Sequence, residues 1–90
     1  MKKLNVEKLT TKINNIGTGL AYEMNYLEKT GHVTGKYNKD DLTRIADDAW
    51  PIIDYIIQHD REQYDELLHA CAWVVMLCQT ITKAIDNEEV

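Results

Sequence analysis

The 90-residue chain has no internal repeat, no low-complexity segment and a single proline, Pro51. It holds two cysteines, Cys71 and Cys78. Seven residues apart on one helix, they would be separated by about 10.5 Å of rise, beyond the reach of an intrachain disulfide. A reduced, cytoplasmic setting is therefore expected. There is no CxxC or HxxxH pattern, and His69 and Cys71 point to different sides of one helix, so the roughly four converging ligands of a zinc site are missing. No metal or cofactor is predicted. Gly35-Lys36 is followed by Tyr37, so the loop around them is no P-loop. Met1-Lys2-Lys3 is basic, but Asn5, Glu7 and Lys8 interrupt any apolar signal segment. No set of titratable groups shares an apparent pocket, which argues against an enzyme.

Ninety residues suit one domain, 1–90. A chain of this size buries only about 60% of its unfolded surface, so oligomerisation would be a natural supplement to its core. The net charge of −5 is unevenly spread. Residues 1–38 carry net +3, residues 39–66 net −6 and residues 67–90 net −2. The acidic middle opposes nucleic-acid binding and suits a basic protein partner or plain solubility.

What is present is helical periodicity. Val6, Leu9, Ile13, Ile16, Leu20, Met24 and Leu27 recur at threes and fours and predict a helix over 6–30, capped by Asn5 and Gly31. Gly17 and Gly19 in its middle imply either a bend or fraying, or the close approach of another element. Residues 31–38, GHVTGKYN, form a loop. A second helix starts near Asn38 or Asp40 and carries Leu42, Ile45, Ala46, Ala49, Ile52, Ile53, Ile56 and Ile57. Pro51 within it predicts a kink, or a break with Asp47 or Asp48 capping a new segment. Asp60-Arg61-Glu62-Gln63 resembles a capping box that opens a third helix over about 61–85, with fraying beyond. That helix, LLHACAWVVMLCQTITKAI from Leu67 to Ile85, is apolar on almost every side. It reads as a rod buried on several sides or as a subunit contact, and not as a membrane span, because His69 and Gln79 interrupt it and acids flank it. The expected fold is all-α, a small antiparallel three-helix bundle in which consecutive helices are neighbours.

Three groups of residues are candidates for function. Asp40, Asp47 and Asp54 are spaced by seven and share a helix face, with Asp48 beside them. They form either a solvated face or an anionic rail for a basic partner, while a shared cation would need oxygens converging on one point. Trp73 is a candidate anchor for a contact beyond the monomer, and Trp50 and Tyr64 are aromatics of the same type. The loop offers Lys36, His32 and Lys29 beside Tyr22, Tyr26 and Tyr37, whose charges and rings would suit an anionic nucleotide. The alternative for that loop is an ordinary helix–helix connection.

The stretch from Ala70 to Lys83-Ala84-Ile85 resembles the closing helix of the anti-CBASS cyclic-oligonucleotide sponges of phages. The likeness covers about a fifth of the chain. The Tyr and Lys that mark the N-terminal part of that family have no counterpart here, and the helix containing Pro51 is extra. The resemblance implies sequestration of a nucleotide signal between subunits. The residues themselves favour a non-enzymatic, oligomeric helical protein that inhibits or regulates a larger partner. Phage antagonists of host defence are one class of such proteins.

Overall fold

The computed structural model describes residues 5–89. They form three helices and no strand: α1 (Val6–Thr30), α2 (Lys39–Gln58) and α3 (Asp65–Glu89). The bundle is elongated, 45 × 20 × 17 Å.

Local chemistry fixes the helix ends. The Asn5 side chain accepts from the Lys8 backbone N–H at α1, and Gly31 closes α1 in the left-handed region at φ 76° while donating to the Leu27 carbonyl. At α2, Asn38 accepts from the Asp41 N–H and the Asp41 carboxylate accepts from the Asn38 N–H, a reciprocal capping box. Sequence reasoning placed the start of the third helix at 61. Asp60 does accept from the Gln63 N–H at 3.2 Å, but residues 61–64 make only a turn, and the helix begins at Asp65.

Two further expectations are corrected. Of the two alternatives at Pro51, a kink or a break, it is the break with a new segment opening at Asp47 or Asp48 that is overturned, because one helix runs from Lys39 through Gln58. Both Pro51 and Asp47 are exposed, so the Asp47 carbonyl, which loses its donor to the proline, faces water that can replace it. The end of α3 is not lost at Asp86 either: the helix continues through Glu89, and Val90, the last residue of the expected fraying, lies outside the described residues. Glu88 accepts from the Val33 N–H and contacts His32 Nδ1, both at 3.0 Å, and Asp86 pairs with Lys39 at 2.8 Å. These ties gather the C-terminal ends of α1 and α3 with the N-terminal end of α2, so consecutive helices run antiparallel.

The rod expected from the sequence is α3. By length and composition it could cross a membrane. Here Leu67, Cys71, Val74 and Ile81 are fully buried, with Leu20 of α1 and Leu42, Ala49 and Ile56 of α2 in the same core. One side of α3 remains open through His69, Ala72, Met76 and Lys83. Consecutive helices are not all neighbours, because α3 packs against both α1 and α2, whose Cα atoms never come within 8 Å of each other.

Gly17 is a point of close approach and not of fraying. α1 is unbroken there, and the Trp73 ring fills the place of the missing side chain. Gly19 faces the Tyr37 hydroxyl in the same way.

Candidate functional site

The acidic residues of α2 divide between two sides. Asp40, Asp47 and Asp54 are exposed on one face, as their spacing requires. Asp48, expected beside them, is turned toward α1 and lines a cleft with Lys12. Interleaved with the three aspartates along the same outer side are Trp50, 46% exposed, and Ile57, 60% exposed. The result is a mixed stripe of acid and apolar groups, with Trp50 and Ile57 each three residues, about one turn, beyond Asp47 and Asp54. The apolar spacing of α2 included Ile57 with the helix's apolar face, and Trp73 was preferred to Trp50 as an anchor. The seven-residue spacing from Trp50 to Ile57, matching that from Asp47 to Asp54, was the signal available.

Trp73 is half-buried. It packs against Gly17 and lines a shallow groove with Ala21, Tyr22 and Asn25. Much of its apolar area is therefore used within the chain. Tyr22 beside it is 73% exposed, and Met76 one turn further along α3 is 57% exposed.

The loop is held in place by hydrogen bonds within the chain. Glu23, only 4% exposed, accepts from the Thr34 N–H at 2.9 Å and from the Thr34 hydroxyl at 2.5 Å. Thr34 Oγ1 in turn accepts from the Lys36 N–H. With the His32 and Val33 contacts to Glu88, these bonds make the loop a fastened connection across the end of α3. Tyr37 is drawn inward over Gly19, and burial, with the Glu23 charge second, raises its hydroxyl pKa. Lys36 lies 6.0 Å from the Tyr37 ring. Tyr22 and Tyr26 are exposed one turn apart on α1, and Lys29 is exposed near its end. Tyr22 belongs to the groove with Trp73, whereas Tyr37 meets α1 at Gly19.

Cys71 and Cys78 are buried in the core, and burial pushes both thiols up to about 11. His69 is exposed, with Nδ1 3.5 Å from Asp65. Among the described residues no three His, Cys, Asp or Glu side chains gather to hold a metal ion.

No family model, curated protein or solved structure matches the chain.

Proposed function

We propose that this chain is a non-enzymatic binding protein that acts by contact, as an inhibitor or regulator of a larger partner. The observation that carries this reading is the outer stripe of α2, where Trp50 and Ile57 stand open to solvent among Asp40, Asp47 and Asp54. The apolar groups gain about 25 cal/mol for every Å² removed from water, so a surface that covers them is favoured. A half-exposed tryptophan at the middle of the stripe is the residue type that most often anchors such contacts. The aspartates decide the chemistry of the partner. A basic amphipathic helix, with apolar residues at helical spacing and Lys or Arg flanking them, would match both components of the stripe.

The reading is tested by titrating the ¹⁵N-labelled protein with an amphipathic Lys/Leu helix and with its Glu/Leu counterpart. The expected result is binding of the basic peptide alone, with shifts concentrated at Thr43, Asp47, Trp50, Asp54 and Ile57. Absence of binding, or shifts centred on another face, overturns it. The rival reading, sequestration of an anionic nucleotide between subunits, is tested on the same preparation by thermal shift with cyclic di- and trinucleotides. A shift with these and none with the peptide would put the rival first.

A further inference from the structure

The separation of α1 from α2 leaves an opening in the side of the bundle. A cleft of about 320 Å³ lies there, walled by Leu9, Ile13 and Ile16 on α1 and by Ile45 and Ile52 on α2. Leu9, Ile16, Ile45 and Ile52 are only half-buried, although they pack on the core. The cleft thus exposes core side chains to water along the line where a third layer of packing is missing.

Its charged rim is asymmetric. Lys12 stands on the α1 wall, between Leu9 and Ile16, and Asp48 on the α2 wall, between Ile45 and Ile52. Because the two helices run antiparallel, this places Lys12 and Asp48 at one level, on opposite sides. Both are exposed, and among the described residues neither side chain has an ion-pair partner in the chain.

We propose that this cleft is the contact surface for a second copy of the chain, in a dimer whose two-fold axis runs along the cleft. A two-fold interface brings one patch against itself, so the patch must be self-complementary. An axis along the cleft lays α1 of one copy over α2 of the other. Lys12 then faces the partner's Asp48, the reciprocal pair forms by symmetry, and the two apolar floors meet between them. An axis across the cleft would instead set lysine against lysine and aspartate against aspartate. The charges therefore select one of the two arrangements.

The inference stands apart from the α2 stripe, since Asp48 points toward α1 and Trp50 does not, so either can fail without the other.

The test is solution mass by light scattering and sedimentation, from micromolar to millimolar protein. The expected species is a dimer of twice 10.4 kDa. Lys12→Glu and Asp48→Lys each alter an exposed side chain and should leave the helical circular dichroism intact. Each alone should weaken dimerisation about tenfold or more, because two attractive pairs become repulsive. Mixing the two variants should restore it, since that heterodimer again pairs opposite charges at both positions. A monomer at every concentration overturns the proposal, and so does a dimer that both reversals leave unchanged or one that mixing fails to rescue.

Discussion

The Trp73 ring occupies the space that a side chain at Gly17 would need, so α1 and α3 meet there through a backbone and an indole. Gly17→Ala sets two effects against each other. Alanine favours the helix by about 1 kcal/mol. Its methyl group would overlap ring atoms of a residue held between two helices, and overpacking of that kind costs about 1–3 kcal/mol. The overlap should win, and thermal denaturation should show a lower Tm for the variant. An unchanged or raised Tm would mean that Trp73 is free to move off α1.

Gly19→Ala is the control, with the opposite expectation. The nearest atom to a Cβ there is the Tyr37 hydroxyl at 2.7 Å, the far end of a side chain that can turn aside. The helical gain of about 1 kcal/mol should then offset or exceed the cost of moving the ring. Stability within about 0.5 kcal/mol of the parent, or above it, is expected. A loss as large as that of Gly17→Ala would show the Tyr37 position to be rigid.

Much of the architecture was legible in the chain. The α1 stripe from Val6 to Leu27, the Asn5 and Gly31 caps and the buried Cys71 and Cys78 all follow from spacing and residue type, because each depends on neighbours within one or two turns. The loop was not legible. Lys29, Lys36 and His32 read as free cations, and nothing local shows that Glu23 and Glu88 reach across to fasten Thr34 and Val33. The side on which Asp48 falls was also obscure, since it depends on where α1 lies. Helical spacing separates Asp47 from Asp48 by about 100°. Only the packing shows that this angle divides a solvent stripe from an interhelical cleft.

Glu23 is the residue on which the loop turns. Its carboxylate is buried and accepts two bonds from Thr34. Hydrogen bonds to a charged group are worth about 1.5–3 kcal/mol. Glu23→Ala should cost about 2 kcal/mol or more in urea denaturation, and it should raise amide exchange at Thr34 and Lys36 selectively. A double-mutant cycle with Thr34→Val isolates the hydroxyl share. A coupling energy near zero would show that the 2.5 Å contact contributes nothing to the fold.

The core thiols set an alkaline limit. Cys71 and Cys78 rise from an ordinary value of 9.0 to about 11 because burial disfavours the thiolate. Between those values the unfolded chain has released protons that the folded chain still holds, so stability should fall as pH rises from about 9 toward 11. Below pH 9 both states are protonated and these groups add no slope. At neutral pH, labelling with a disulfide reagent should track global unfolding. Fast labelling of the folded chain would instead indicate local opening of α3.

Pro51 offers a test of how α2 is built. A proline inside a helix removes one hydrogen bond and crowds the preceding turn, at a cost of about 3 kcal/mol. Here the group left without a donor is the Asp47 carbonyl on the solvent side, which water can satisfy, so part of that cost is already relieved. Pro51→Ala restores the donor but also frees the unfolded chain, which lowers the gain. The expected net effect is a rise in stability of about 1 kcal/mol, with the mean residue ellipticity unchanged because α2 is already continuous. If Tm falls instead, the proline-shaped path of the helix is required to seat Ile53 and Ile56 in the core. The exposure of Trp50 would then be a consequence of that path, and the basic-peptide binding proposed for the stripe it shares with Asp47, Asp54 and Ile57 should weaken in the same variant.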